Sequence, residues 1–314
     1  MKITNILFTG RLVDELEGLL NAEEMLNGRR VRFVPDGEVS SGDLDWADAF
    51  VAFHPTIIFH FGGIKWVHSL GAGVDRYMAL NGDWPEDVLL TRTITSFGRK
   101  IGEYTLSYML KEAQHHDRFR DQQGRGEWKM VAPRTLDEMK VVVFGTGEIG
   151  QELAKILGFF GVQVEGVSRS GRDKDHFFRV MSLEEVDDSS LGAADFIINT
   201  LPLTKETAGL FNEQFFGCMN QAVFINVGRG GTVHHGALLN ALDSGALKAA
   251  VLDVFEVEPL PADSPLWSHP GVTVTPHISA ITTPEEAVEC FLETLDAVES
   301  GGELRNRVDV GRGY

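Results

Sequence analysis

The sequence predicts an α/β chain of two domains, the larger built on a doubly wound parallel sheet and the smaller a second α/β unit. Three observations carry this prediction. The length of 314 residues with 43% hydrophobic content falls where chains divide into two cores. Short apolar β-type runs alternate with helical stretches along the whole sequence. One of those runs is followed at once by three spaced glycines and an amphipathic helix.

Taken in order, residues 3–8, 31–34, 50–52, 65–70 and 88–91 read as short buried strands of the smaller unit. A domain crossing is expected near Gly98 to Gly102. Residues 101–123 read as one long connecting helix, and the polar QQGRGEWK that closes this region as an exposed loop. Residues 140–144, 162–167, 196–200, 222–227, 249–254 and 272–274 then recur as apolar runs between helices, the pattern of a parallel sheet covered on both faces. A final helix is expected to begin at Thr283-Pro284-Glu285-Glu286, with Thr283 as N-cap, Pro284 as first helical residue and Glu286 closing a capping box. Its docking site is expected outside the larger domain. The boundaries are therefore set at 1–99, 100–284 and 285–314, the first and last segments sharing one domain.

The formal charge of −18 argues against nucleic acid and anionic membranes as partners, because both are bound through basic surfaces. A small anion must then be held by individual arginines or backbone N–H groups against the global field. No run approaches a membrane span and the first residues lack an apolar signal core, so a cytoplasmic location is expected. Cys218 and Cys290 belong to no metal-binding or redox spacing, and no metal site is predicted. The acidic stretch 184–188 reads as a solvated helix face, and the pairs His115-His116 and His234-His235 as surface residues.

In KVVVFGTGEIGQELAKILGFFGVQVEGVSRS, Gly145, Gly147 and Gly150 have the G-x-G-x-x-G spacing of a Rossmann-type dinucleotide site. Gly145 permits the tight turn, Gly147 the approach of a pyrophosphate, and Gly150 close packing of helix on strand. Glu148 and Ile149, at the head of the helix, join the cofactor-binding set, since a helix N-terminus attracts phosphate. An NAD enzyme usually carries an acid at the end of the second strand; here stand Ser168, Arg169 and Ser170. A guanidinium can pair with a 2′-phosphate where a carboxylate would repel it, so NADPH is the preferred cofactor and NAD the other option. Glu165 becomes the ribose ligand instead if the strand ends earlier.

INVGRGG, LDVFEVEP and TPHISA place Arg229, Asp253, Glu258 and His277 just beyond predicted strands, the edge where open α/β sheets bind ligands. Reducing a 2-keto acid calls for a cation on the carboxylate and carbonyl, a proton donor for the nascent alkoxide, and an acid that favours the imidazolium. Arg229, His277 and Glu258 match those roles. Singly, Arg229 reads as a solvated turn residue and His277 as a packed histidine; their ordered occurrence after a dinucleotide motif favours the joint functional reading.

From Leu70-Gly71-Ala72-Gly73-Val74-Asp75 to its C-terminus, the chain resembles the D-isomer-specific 2-hydroxyacid dehydrogenase family. The resemblance implies catalytic Arg229, Glu258 and His277, substrate contacts from backbone amides at Ala72 and Gly73 and from Arg229 and His277, and Asp253 near the nicotinamide. It also implies that Leu201 and Pro202 lie over the adenosine ribose and that Val227 and Gly228 form a cofactor-contacting turn. Gly228 stands where many relatives have Ala, a change expected to be tolerated. SRS, PLPADSPLWSHP, PHISAITTPEEAVE and the terminal VDVGRGY resemble, more closely, bacterial NADPH-preferring glyoxylate/hydroxypyruvate reductases. That likeness implies a flavodoxin-like substrate domain interrupted by the nucleotide domain, a closing cleft, a homodimer, and hydride transfer from NADPH to a small 2-keto acid. Two other functions compete: an NAD-linked dehydrogenase of bulkier D-2-hydroxy acids, of phosphoglycerate or D-lactate type, and a dinucleotide-sensing interaction protein on the same fold. His54-Pro55 reads as a structural turn before it reads as a substrate contact.

Overall fold

The chain divides into two units, one of Met1–Thr95 with Thr282–Tyr314 and one of Ser96–Ile281. The structure is a computed structural model, and it describes residues 1–80, 84–186 and 188–313. The crossings fall a few residues before 99/100 and 284/285, because the residues at each crossing belong with the helix that follows.

The first unit opens with β1 (Asn5–Thr9), α1 (Val13–Leu20), β2 (Arg30–Val34), α2 (Ser41–Trp46), β3 (Ala49–Ala52), β4 (Trp66–Ser69), α3 (Asp75–Met78) and β5 (Leu89–Arg92). Its five strands are all parallel in the order β2-β1-β3-β4-β5, the flavodoxin arrangement the sequence analysis expects. Alternation along β1 splits the core: Ile6 and Phe8 face one layer, Leu7 the other.

The second unit comprises α4 (Phe97–Ala113), α5 (His116–Gly124), β6 (Lys140–Phe144), α6 (Glu148–Phe159), β7 (Gln163–Ser168), β8 (Arg179–Ser182), α7 (Asp188–Gly192), β9 (Phe196–Asn199), α8 (Glu213–Gly217), β10 (Ala222–Asn226), α9 (His235–Ser244), β11 (Leu247–Leu252) and β12 (Val272–Val274). Seven parallel strands run β12-β11-β10-β9-β6-β7-β8, a doubly wound sheet reversing at β6. Val142, Phe144, Ile197, Phe224 and Leu252 pack on one face, and Val143, Phe196, Ile198, Ile225 and Val251 on the other. Both faces are thus covered, which is why the strands read as continuous apolar runs.

Two details differ from the sequence reading. The long connecting helix is two helices, broken where His115 takes φ 55°, a left-handed conformation that interrupts helical hydrogen bonding. β8 was not expected, because RVMS lies at the sheet edge, half in solvent, and carries no apolar run. Of the acidic stretch, Glu184 and Glu185 are exposed in a turn ahead of α7 rather than on a helix; Asp187 lies outside the described residues.

The chain returns to the first unit in α10 (Pro284–Ser300). Its capping box is formed: Glu286 N donates to Thr283 Oγ1 at 3.3 Å, and Thr283 N to Glu286 Oε2 at 3.0 Å. Phe291 carries the docking, stacked on Trp66 at 5.5 Å and edge-on to Phe8 at 4.9 Å. Burial of one such side chain is worth about 1.5–3 kcal/mol. Glu299 accepts both Arg29 nitrogens at 2.8 Å and Ile3 N at 2.9 Å, so the far end of the helix is tied by a forked ion pair to the residue ahead of β2 and by a backbone N–H to the segment leading into β1.

Beneath Phe291 lies His68, fully buried, with Nδ1 2.8 Å from Thr91 Oγ1 and Nε2 3.3 Å from Thr93 Oγ1. Burial pushes its pKa down to about 3 from an ordinary 6.5. Unfolding therefore takes up a proton at His68 between those values, and stability contributed by the neutral ring is lost as pH falls below 6.5. The slope from this one group approaches about 1.4 kcal/mol per pH unit. Urea unfolding between pH 7 and 5, above the range where carboxylates protonate, should show stability falling more steeply for the native chain than for His68→Gln. Parallel slopes would disprove the assignment.

Candidate active site

The turn from β6 to α6 is built from its glycines. Gly145 takes φ 106°, and a Cβ there would overlap Thr200 Oγ1, which donates to Phe144 O at 3.0 Å. At Gly150 a Cβ would overlap the carbonyl of Gly145. Gly147 is different: nothing lies within 4 Å of the place a Cβ would take, and as N-cap of α6 it offers no side-chain acceptor. The first-turn N–H groups at Glu148 and Ile149, which no preceding turn can satisfy, are left for an outside acceptor at the positive end of the helix. The arrangement fits a pyrophosphate.

β7 ends at Ser168, and Arg169 and Ser170 follow in solvent. The strand does not end earlier: Glu165 lies within β7, paired across to Arg179 with Nε–Oε1 at 3.0 Å, so the condition that would favour it as ribose ligand is not met. Glu206 stands near Arg169: its carboxyl is held below the usual range chiefly by hydrogen bonds at Thr204 and its own backbone, with the charges of Arg169 and Lys205 adding. Leu201 and Pro202 lie in a turn fixed by Leu201 N donating to Asn199 Oδ1 at 3.0 Å and Thr207 Oγ1 to Pro202 O at 2.6 Å. Val227 and Gly228 close against it. A Cβ on Gly228 would approach Leu201 O to 2.6 Å, so this chain has used the missing methyl to bring the two turns together.

Arg229, Glu258 and His277 all lie beyond the carboxyl ends of β10, β11 and β12. His277 Nδ1 is 2.8 Å from Glu258 Oε2, and Phe255 N donates to Glu258 Oε1 at 2.9 Å. Burial alone would raise the Glu258 carboxyl; the hydrogen bonds from His277 and Phe255 and the charges of His277 and Arg229 outweigh it and hold the group below the usual range. The half-buried Arg229 donates from Nη1 to Gly228 O at 2.7 Å. His277 is 49% exposed, with its other nitrogen available to a ligand, and takes φ 55°, a strained setting for a non-glycine residue.

Residues around the Arg-Glu-His set hold this geometry. Asn199 Nδ2 donates to Asn226 Oδ1 at 2.8 Å and to Thr232 Oγ1 at 2.9 Å, and Thr232 Oγ1 donates to Arg229 O at 2.6 Å. The carboxyl of Asp253, fully buried, accepts Thr275 Oγ1 at 2.6 Å, Ile278 N at 2.8 Å and Ser279 N at 2.9 Å, fixing the loop that carries His277. Tyr104 Oη lies 2.7 Å from Thr275 Oγ1. Of the two histidine pairs, His234 caps α9 by accepting Ala237 N, as a surface residue can. His235 is half-buried against Phe255, a correction to its surface reading. Among the described residues no cluster of three metal-ligating side chains occurs.

In the first unit Ala72 and Gly73 lie in the turn after β4, where Arg92 Nη1 donates to Ala72 O at 3.3 Å and Ser69 Oγ bonds within the turn. Arg92 is a further residue that sequence reading missed.

A flavodoxin-like unit joined to a Rossmann-type unit, with a glycine cradle and an Arg-Glu-His set on the ligand edge, defines a nicotinamide-dependent oxidoreductase. The family described as D-isomer specific 2-hydroxyacid dehydrogenase, NAD binding domain, matches residues 106–279. Glyoxylate/hydroxypyruvate reductase A of Serratia proteamaculans is 36% identical over 94% of this chain and 97% of its own, and the Klebsiella pneumoniae protein of that name is 34% identical over 98% and 99%. A D-isomer specific 2-hydroxyacid dehydrogenase of Xanthobacter autotrophicus, crystallised with NADPH and MES, superposes with TM-score 0.87 at 34% identity over all of both chains. An NADPH-dependent glyoxylate/hydroxypyruvate reductase of Sinorhizobium meliloti, crystallised with NADP and sulfate, gives 0.85 at 30% identity over all of both chains. The chain belongs to the D-isomer-specific 2-hydroxyacid dehydrogenase family, and is thereby an NAD(P)-dependent oxidoreductase.

Gly147→Ala adds a methyl in open space and should leave the melting temperature within about 1–2 °C while weakening dinucleotide binding. Gly150→Ala meets backbone and should cost on the order of 1–3 kcal/mol of stability as well. Thermal melts with NADPH fluorescence titration separate the two, and a Gly147→Ala variant of unchanged affinity would place the pyrophosphate elsewhere.

Proposed function

We propose that this enzyme reduces small 2-keto acids of the glyoxylate or hydroxypyruvate class to D-2-hydroxy acids, preferring NADPH. The observation that carries the reading is the 2.8 Å pairing of His277 with Glu258 beside Arg229. The names of the Serratia and Klebsiella relatives support the substrate class, and the NADPH- and NADP-bound neighbours support the cofactor.

Gly145, Gly147, Glu148, Ile149 and Gly150 would hold the pyrophosphate, Leu201, Pro202, Val227 and Gly228 the ribose and nicotinamide side, and Ser168, Arg169 and Ser170 the 2′-phosphate. Bound NADPH supplies the hydride. Ala72 and Gly73 offer backbone N–H groups to the substrate carboxylate, and the Arg229 guanidinium binds carboxylate and keto oxygen, drawing charge toward that oxygen. His277 donates the proton from the nitrogen facing away from Glu258 as the alkoxide forms. Glu258, ionised and fixed by Phe255 N, orients the ring and balances the imidazolium. Asp253, expected beside the nicotinamide, has its buried carboxyl taken up by Thr275, Ile278 and Ser279, so its role is to anchor the loop that carries His277.

A homodimer is the assembly we infer. The nearly fully exposed Trp128 and Met130, on the segment after α5, support it as apolar surface in need of cover. The chain has no helix long and apolar enough to cross a membrane among the described residues, and Cys218 and Cys290 form no disulfide there, which supports a cytoplasmic setting.

Oxidation of NADPH and NADH, followed by absorbance with glyoxylate, hydroxypyruvate, pyruvate and phenylpyruvate, tests the reading. NADPH with the first two acids should dominate; tight dinucleotide binding without turnover on any of the four would overturn it. His277→Ala should lower kcat about 10²–10⁴-fold with NADPH affinity retained. Glu258→Gln should lower kcat with NADPH affinity retained, because the His277 ring loses the carboxylate that orients it at 2.8 Å; an unchanged kcat would remove Glu258 from the mechanism. Arg169→Ala should cost about 10–100-fold in kcat/KM for NADPH and little for NADH, the size of a charge-assisted hydrogen bond. An unchanged cofactor ratio would show the phosphate pocket to be elsewhere.

A further inference from the structure

In the sheet order β2-β1-β3-β4-β5 the chain leaves β1 in opposite directions, so the turns after β1 and β3 flank the switch point where such sheets take ligands. Arg11 stands in the first of these turns, between Gly10 at φ 88° and Leu12 at φ 75°. A left-handed Leu is a strained residue of the kind that collects at functional sites. Phe53 opens the second turn, and the Arg11 guanidinium lies over its ring, 4.6 Å from the centroid. The ring in turn covers Gly71, where a Cβ would meet Phe53 Cδ1 at 3.4 Å. Arg11, Phe53 and Gly71 are therefore stacked in sequence, ending at the turn to which the proposed function assigns the substrate carboxylate.

Arg11 is exposed and has no ion-pair partner among the described residues, in a chain carrying 46 acidic against 28 basic side chains. The contact holds the guanidinium over the ring face and leaves its N–H groups to meet a carboxylate. Glyoxylate has nothing beyond its keto carbon to engage them. We propose that Arg11, held on Phe53, reads the far end of the substrate and favours 2-keto acids carrying a second carboxylate over glyoxylate. The inference rests on the reductase reading and deepens it.

The test is kcat/KM with saturating NADPH for glyoxylate, hydroxypyruvate, oxaloacetate and 2-oxoglutarate, in the native enzyme, Arg11→Met and Arg11→Glu. At low ionic strength at least one dicarboxylate should exceed glyoxylate about tenfold or more, mainly through KM. Arg11→Met should reduce that ratio about tenfold, Arg11→Glu should reduce it further, and 0.5 M salt should narrow it in the native enzyme only. NADPH titration reports whether the variants are folded, and Arg11→Lys should recover part of the ratio. Glyoxylate reduction without a dicarboxylate advantage, or an advantage that survives Arg11→Glu, overturns this inference alone. Failure of the native enzyme on all four acids overturns the reductase reading with it.

Discussion

The buried carboxyl of Asp253 is the constraint on which the catalytic edge depends. Its two oxygens take three donors from residues 275–279, and its carbonyl accepts His277 N at 2.9 Å. A group so fully engaged is costly to leave unpaired, so the loop cannot drift without stranding a buried acceptor. That rigidity allows His277 to keep its left-handed backbone and still meet Glu258.

Asp253 is the end of a row. Asn199 closes β9, Asn226 closes β10, and Asp253 follows β11, and the register pairs Asn199 with Asn226 and Asn226 with Leu252. Parallel strands bring all their carboxyl ends to one edge. Three neighbouring strands there exchange an apolar interior for buried amides and a carboxyl, each satisfied by the turn beyond it. The Arg229 turn and the 199–207 turn share Asn199, Asn226 and Thr232 as anchors, so both turns are set by the same hydrogen bonds.

Much of this was legible in the sequence, for identifiable reasons. Strands of a sheet covered on both faces are written as unbroken apolar runs, which is why eleven of the twelve strands among the described residues were anticipated and the half-exposed β8 was not. The capping box of α10 is local chemistry at fixed spacing, and it is formed as read. His277 and Glu258 could be paired because motif order after a dinucleotide fingerprint is informative. Tyr104 and Arg92 carry no such signal, and Asn199 and Asn226, though they stand at the head of readable motifs, show their buried partners only in the fold. His235 was misread for the same reason, since adjacency to His234 says nothing of Phe255.

Electrostatics explain why so few cations suffice. In a chain of charge −18 an anionic substrate is repelled at long range, and only short-range, poorly solvated donors can hold it. Arg229 is half-buried and Arg92 is locked to the Ala72 carbonyl, so both cations come with part of their entropy already lost to the fold. Backbone N–H groups at the Ala72 turn and at the head of α6 add positive potential that carries no titratable charge. Under the proposed function, an anion gains little until it meets the donors on the ligand edge of either unit, which need not rearrange. Global repulsion with local fixed donors selects small anions that fit over larger polyanions that cannot.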